Sequence, residues 1–408
     1  MPSVTVQPSF SSIAQKFIET KEQLQPIETR RNALFIGIPK ETTLQESRVP
    51  LVPSGVATLT ARGHRIVVES GAGIQAHFSD HEYSEAGAEI AHSAEEVFKA
   101  DVILKVAPPT LEEIDLCHPN QILISPLQAP IITEEYVNKL RKKRVIALAM
   151  EYIKDDFGSY PIVRIMSEIA GMNALLTATE LLSSSRGGIG VLLGGVSGVP
   201  PAKVVILGAG VVGEFATRVA LGLGAEVRIF DNNIYKLMRL QNQVGRQLYT
   251  SAIDPSVLTR ELMTADAAIG AIHSGSGRAP MVVTEDMVQK MRGGSVIIDV
   301  SIDQGGCFET SRVTTHDKPT FRHHDVIHYC VPNIASRVPR TASNAISNIM
   351  MPILLRSEQH NGIYNLLTQS LGLLNGIYIF KGSLTNQYLS ERFNMRFTSI
   401  ELLMTSNI

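Results

Sequence analysis

From Leu34 onward, short runs of aliphatic residues alternate with longer mixed stretches that carry charge on one face. "LFIGIP" (34–39), "RIVVE" (65–69), "DVILKV" (101–106), "QILIS" (121–125) and "RVIALAM" (144–150) are apolar on both faces, as strands buried within a parallel sheet are. Between them, 54–62, 93–99 and 133–143 show helical spacing. Strands alternating with helices predict an α/β fold. A second series starts at "KVVILG" (203–208) and continues with "EVRIFD" (226–231), "AAIGAI" (267–272), "SVIIDVS" (295–301) and "VIHYCV" (326–331), which predicts a second sheet. The stretch 163–185, broken only by Gly171, reads as a long helix joining the two units. The chain turns helical again near Asn344, and 365–380 reads as an apolar helix packed in the core or at a subunit interface.

The junction at 204–216, "VVILGAGVVGEFA", carries the most specific chemistry. Gly208, Gly210 and Gly213 form G-x-G-x-x-G between an aliphatic strand and a helix. The first glycine makes a tight turn, the second admits a pyrophosphate to the backbone, and the third lets helix and strand pack closely. The helix N-terminus then offers N–H groups and positive dipole to the phosphate. Asp231 ends the following strand, where a carboxylate accepts hydrogen bonds from ribose hydroxyls and repels a 2′-phosphate, so NAD is expected over NADP.

Composition narrows the rest. With 408 residues, 44% of them hydrophobic, the chain has material for two full cores. A net charge of −2 supplies no basic field for nucleic acid or anionic lipid. Three cysteines do not make a disulfide framework, which points to a reducing, cytoplasmic setting. No apolar run reaches membrane-spanning length without Pro, Lys, Asn or several Gly. Residues 1–33, with Lys16, Glu19, Lys21 and Glu22 and no signal-type apolar core, read as an appended helix or arm.

Several blocks together resemble the alanine dehydrogenase family and, more distantly, the NAD-binding subunit of proton-translocating transhydrogenase. They are "IGIPKET" (36–42), "SRVPLVPSGV" (47–56), "SGAG" (70–73), "MSEIAG" (166–171), "GGVSGVPPAKVVILGAGVVG" (194–213) and "IDQGGCFE" (302–309). The last two favour the dehydrogenase. The resemblance implies two Rossmann-like doubly wound domains: a substrate domain (34–161 plus 341–408) split around a central NAD-binding domain (162–340). It also implies assembly as a homo-oligomer, usually a hexamer. The implied cofactor contacts are Ser167, Gly208, Gly210, Val211, Val212, Gly213, Asp231, Lys236, Ile272, His273, Val300, Ser301, Ile302, Val331, Pro332, Asn333 and Ile334. Arg48 would clamp the substrate carboxylate, since its planar donors meet a carboxylate two at a time. Asp303 would stand beside the nicotinamide.

Two positions depart from the family pattern. Its K-V-K-E-P string reads "KVAPP" (105–109) here, so Ala107 replaces the substrate-binding lysine and Lys105 is the remaining candidate. In "ILISPLQAP" (122–130), Gln128 stands where the family has its acid/base histidine, and glutamine does not titrate near neutral pH. Three readings stay open. They are an alanine dehydrogenase with a rearranged catalytic set, an NAD(H)-dependent oxidoreductase with another small substrate or a hydride-accepting partner, and an NAD-binding protein that has lost deamination.

The remaining motifs read as structural. "FRHHDVIHYC" gathers His323, His324 and His328, but a loop entering a strand would not make them converge on a metal, and none is expected. Cys307 reads as a small buried residue, and "KLRKKR" (139–144) as the solvated end of a helix.

Overall fold

A computed structural model describes residues 33–405 apart from 44, 130 and 275–277. The expected arm at 1–33 therefore lies almost wholly outside the described residues. The ten expected strands all form: β1 (Phe35–Ile38), β2 (Arg65–Glu69), β4 (Val102–Leu104), β5 (Ile122–Ser125), β6 (Ile146–Ala149), β7 (Lys203–Leu207), β8 (Glu226–Phe230), β10 (Ala267–Gly270), β11 (Val296–Asp299) and β13 (Val326–Tyr329). Five more complete the sheets: β3 (Glu89–Ala91), β9 (Tyr249–Ser251), β12 (Thr320–His323), β14 (Ile377–Phe380) and β15 (Ser383–Leu384).

The first sheet runs β15-β14-β6-β5-β4-β1-β2-β3 and the second β12-β13-β11-β10-β7-β8-β9. Each starts at a central strand, winds outward one way, then returns to the centre and winds the other way. Strand order thus reverses between β1 and β4 in one sheet and between β7 and β10 in the other. Such switch points leave a crevice at the carboxyl ends of the strands, where ligands of open α/β sheets bind.

Period-two alternation sends side chains to both faces of each sheet. In the first, Ile36, Ile66, Leu104 and Ile124 face a core that includes Ile346, Met350 and Leu354 of the helix Pro339–Leu355. Val67, Ile103, Leu123 and Ala147 face Ile114, Val137 and Leu140 on the other side. The second sheet repeats this layering.

The joining helix spans Pro161–Leu181 and takes part in both cores, through Ile162 in the first and Ala174, Leu175 and Ala178 in the second.

The expected helix over 365–380 is corrected. Helical turns occupy Ile363–Gln369 and Leu371–Leu374, separated at Ser370 by extended backbone, and "IYIF" is the fully buried β14. It pairs antiparallel with β6, giving hydrogen-bond partners to a strand that would otherwise be a buried edge. That pairing and the β-branched and aromatic side chains outweigh the helical spacing.

Candidate functional site

The glycine loop follows β7 as its spacing demands. Gly208 has φ +110°, and a Cβ there would lie 2.3 Å from the Ala271 carbonyl oxygen. A Cβ on Gly213 would lie 1.9 Å from the Gly208 carbonyl oxygen, so strand and helix meet with no room for a side chain. At Gly210 the same test finds open space. The helix Val211–Gly222 starts at Gly210 with no side-chain cap, so no side chain takes up its first N–H groups at that end. Asp231, just past β8, accepts hydrogen bonds from the N–H groups of Ala209 (2.8 Å) and Asn233 (2.7 Å), so its carboxylate is fixed beside the loop. Arg239 donates to the Ala209 carbonyl at 3.4 Å. Glycine cradle, uncapped helix end and anchored acid together fit a dinucleotide.

The other implied contacts emerge from neighbouring strand ends. Ile272 and His273 follow β10, with the His273 pKa lowered by burial and by Lys236. Val300–Gln304, containing Ser301, Ile302 and Asp303, forms a 3-10 turn after β11. Val331, Pro332, Asn333 and Ile334 follow β13, and Ser167 lies half-buried on the helix Pro161–Leu181. Asp299 organises the turn after β11, accepting from the N–H groups of Ser301 (3.0 Å) and Cys307 (3.0 Å) and from the Ser311 hydroxyl (2.7 Å). Cys307 is fully buried, which pushes its thiol well above the usual range.

The first domain contributes Arg48 from the loop after β1. Three hydroxyls hold this loop, those of Ser336, Ser343 and Ser347, which accept from the N–H groups of Ser47 (3.0 Å), Val49 (2.9 Å) and Val52 (3.2 Å). The Arg48 guanidinium donates to both oxygens of Glu46, from Nε at 2.7 Å and Nη2 at 2.6 Å, while Nη1 meets the Met166 sulfur at 3.1 Å. Burial opposes charge at both groups. Their mutual attraction outweighs it, so the Glu46 pKa is lowered and that of Arg48 raised. Glu46 also accepts from Asn333 Nδ2 (2.6 Å) and the Ser336 hydroxyl (2.8 Å), and the Asn333 N–H donates to Asp303 Oδ1 (3.1 Å). Arg48, Glu46, Asn333 and Asp303 therefore form one connected line across the cleft. Asp303 is exposed by surface area, yet the protein atoms packed around its carboxyl lift it to about 6 against the Asn333 N–H and the pull of Arg48. Glu46 carried no motif of its own in the sequence. Its one signal is an acid two residues ahead of an expected arginine.

Lys105 has a different setting from that of a substrate ligand. Its ammonium is 1% exposed and lies between Glu41 (2.8 Å) and Glu113 (2.9 Å). Glu41 also accepts the N–H groups of Val106 (2.7 Å) and Ala107 (3.3 Å), which fixes the end of β4. Gln128, after β5, has φ +48°. The Glu151 carboxylate holds that turn by accepting the N–H groups of Leu127 (2.8 Å) and Gln128 (2.9 Å). The Gln128 side-chain amide has no hydrogen-bond partner among the described residues. Ala107, fully buried, and Gln128, half-buried, thus stand at adjacent strand ends beside the first switch point.

One expectation about the histidines is corrected. The run forms a hairpin, β12–β13, whose turn brings His323 and His324 to the same carboxylate, Glu285, while His328 is buried against the Thr310 hydroxyl. "KLRKKR" does end a helix, Glu134–Lys143, with three basic residues in its last turn.

Two doubly wound α/β domains, one with a glycine-rich nucleotide-type loop and one with a buried arginine held by Glu46, define a two-domain protein of Rossmann type. The chain belongs to the alanine dehydrogenase/PNT family: residues 37–170 match its N-terminal domain and 174–387 its C-terminal domain. It is 38% identical over 370 residues to the alanine dehydrogenase of Staphylococcus saprophyticus, covering 90% of this chain and 99% of that protein. A solved L-alanine dehydrogenase superposes with a TM-score of 0.82 at 38% identity, over 88% of this chain and 99% of that one. A solved transhydrogenase from Sinorhizobium meliloti gives 0.73 at 24% identity, over 86% and 99%, a likeness of fold. Among the described residues, no helix is long and apolar enough to cross a membrane.

Proposed function

We propose that this protein is an NAD(H)-dependent oxidoreductase that acts on a small 2-amino or 2-oxo acid, with L-alanine and pyruvate the first pair to test. The observation that carries this reading is the Arg48–Glu46–Asn333–Asp303 line, which ties an anion-binding group of one domain to the expected nicotinamide side of the other. The dinucleotide would lie along the second switch point, with its pyrophosphate over Gly208–Gly213, its ribose at Asp231, and further contacts from Lys236, His273, Ser301 and Val331–Ile334. When bound, it supplies or accepts the hydride. Arg48 would hold the substrate carboxylate through Nη1 and the free edge of Nη2, because Glu46 occupies the other side of its fork. Asp303, ionised above pH of about 6, would take a proton from the attacking water or ammonia and stabilise the iminium carbon's developing charge.

Gln128 limits this chemistry. Its amide can donate a hydrogen bond to a carbonyl oxygen but cannot deliver a proton to it. Ala107 offers no cation to the same oxygen. These two positions favour a second reading: NAD(H) binding and hydride transfer persist, while deamination of alanine is slow and another acceptor is preferred. Homohexameric assembly in the cytoplasm belongs to the same proposal, and light scattering tests the assembly.

The deciding experiment compares the native protein with the double replacement Ala107→Lys, Gln128→His in steady-state NADH oxidation with pyruvate and ammonium from pH 6 to 10. Histidine tolerates the left-handed backbone at 128 better than most residues, so the turn should persist. The replacement is expected to raise the rate by about 10²–10⁴, the usual contribution of acid/base groups. Fast turnover by the native protein, with no gain on replacement, would refute the roles given to these positions.

A further inference from the structure

At the far edge of the second sheet, the β12–β13 hairpin turns through His324 and Asp325, with φ of 49° and 59°. Few side chains adopt two successive left-handed residues. The result is specific: Nε2 of His323 and Nε2 of His324 each lie 2.8 Å from the same oxygen, Oε1 of Glu285. The two rings pack edge to face with centroids 4.4 Å apart. Glu285 opens the helix Glu285–Gln289, remote in sequence, so separate elements converge on one point. One ligand atom from each of the three residues lies within 4.8 Å of the others.

We propose that Glu285, His323 and His324 form a binding site for a divalent transition-metal ion of the Zn²⁺ type. Two imidazoles facing one carboxylate oxygen must both carry Nε2 protons to make these contacts as hydrogen bonds. With lone pairs turned inward, the same atoms coordinate a cation. Zn²⁺ binds imidazole nitrogen and carboxylate oxygen at about 2.0–2.2 Å in tetrahedral geometry, which calls for ligand atoms roughly 3.3 Å apart. The observed spacings bracket that value, and small side-chain rotations reach it. The donor set excludes Mg²⁺ and Ca²⁺ as preferred ions, because both favour all-oxygen shells. His323, His324 and Glu285 are 41%, 30% and 51% exposed, which leaves a way in for the ion and a fourth position for water.

The site is separate from the cofactor crevice. It lies at the amino end of β13, whereas the crevice segment Val331–Ile334 follows the carboxyl end of that four-residue strand. A bound ion would fasten the edge hairpin to the helix beneath it. That gives it a structural role on an outer strand, without a part in hydride transfer.

The test uses the full-length protein, stripped with chelator and then titrated with Zn²⁺ alone by calorimetry, with Co²⁺ absorption as a readout of coordination. One ion per chain is expected, with a Co²⁺ spectrum typical of a four-coordinate site and a Zn²⁺-dependent rise in Tm. Glu285→Gln and the pair His323→Asn, His324→Asn should each weaken this binding at least about tenfold. All three side chains are partly exposed, so circular dichroism should be unchanged. Absence of stoichiometric binding, or binding equally tight in both variants, would overturn the proposal.

Discussion

Replacing Lys105 by Met separates a structural ammonium from a substrate ligand. The side chain is 1% exposed, and methionine retains most of its length and packing while removing the charge. Two carboxylates then lose their shared partner. Glu41 keeps the N–H groups of Val106 and Ala107, and Glu113 keeps that of Thr110 at 2.7 Å, so neither is stripped bare. Breaking a buried ion pair from one side typically costs about 3–5 kcal/mol. Protonation offers an escape. Burial already raises the Glu41 pKa against the pull of Lys105, and losing that cation raises it further. Neutralising a carboxyl of ordinary pKa 4.5 at pH 7 costs about 3 kcal/mol, at about 1.4 kcal/mol per pH unit. A carboxyl whose folded pKa is raised is favoured in acid and destabilises as pH climbs, so the variant's deficit, up to about 3–4 kcal/mol at pH 7, should shrink as pH falls towards 5. Urea unfolding followed by circular dichroism across pH 5–8 measures this. NADH affinity, which on the proposed function the other domain sets, should change less than about twofold. Native-like stability at every pH, with turnover lost a hundredfold, would show that the ammonium serves the substrate and that the buried-triad reasoning is wrong.

Three further outcomes are expected. Asp303 ionises near pH 6. Its negative charge above that pH favours the cationic nicotinamide of NAD over neutral NADH, so the NAD/NADH affinity ratio should rise between pH 5 and 7 by fluorescence competition, and Asp303→Asn should flatten the rise. His328 is fully buried and its pKa is lowered from 6.5 to about 4, chiefly by burial. A neutral buried imidazole favours the fold above pH 6.5 and loses that contribution as pH falls towards 4, by up to about 3 kcal/mol, and His328→Phe should reduce the acid sensitivity of Tm over that window. Asp231 should hold NAD at least about tenfold tighter than NADP by calorimetry, and Asp231→Ala, which leaves Arg239 nearby to meet a 2′-phosphate, should narrow the gap.

What could be read from the sequence follows from where the signals reside. Central strands such as β4, β5 and β11 are buried on both faces and are therefore continuous aliphatic runs. β3, β9 and β12 are short, carry polar or half-exposed residues, and lie near or at sheet edges, so pattern alone passes over them. β14 failed for another reason: its leucine-rich approach has helical spacing, and only the unpaired side of β6 makes "IYIF" a strand. At the site, the glycine loop and Asp231 were legible because their spacing is itself the chemistry. Arg48, Asp303, Ala107 and Gln128 stood out through family resemblance. The pairings that set their properties did not: Ser336 and Asn333, the latter expected only as a cofactor contact, reach Glu46 from 290 and 287 residues away, and Glu41 reaches Lys105 from 64. Glu285 likewise joins His323 across 38 residues, so no local histidine spacing reveals the cluster.

The charges around the cleft bear on which substrate it suits. Among the described residues, Glu46 contacts Arg48, Glu41 and Glu113 contact Lys105, and Asp303 stands near Arg48. Lys105 is consumed by its two carboxylates and Arg48 is half-consumed by Glu46, so little positive potential is left for an anion entering from solvent. A lysine at 107 would have restored one charge beside the substrate; alanine leaves the balance negative. Hydride transfer from a neutral amino acid zwitterion, or to an acceptor with its charge elsewhere, loses little by this. A small 2-oxo acid, which carries a carboxylate and no balancing cation, would lose more. The same electrostatics favour a cationic nicotinamide against Asp303. If the proposed function holds, both effects would favour the oxidised cofactor and weaken capture of pyruvate. On the proposed function, the residues at 107 and 128 would therefore bear on substrate capture and proton transfer, while the glycine loop and Arg48 keep the settings described above.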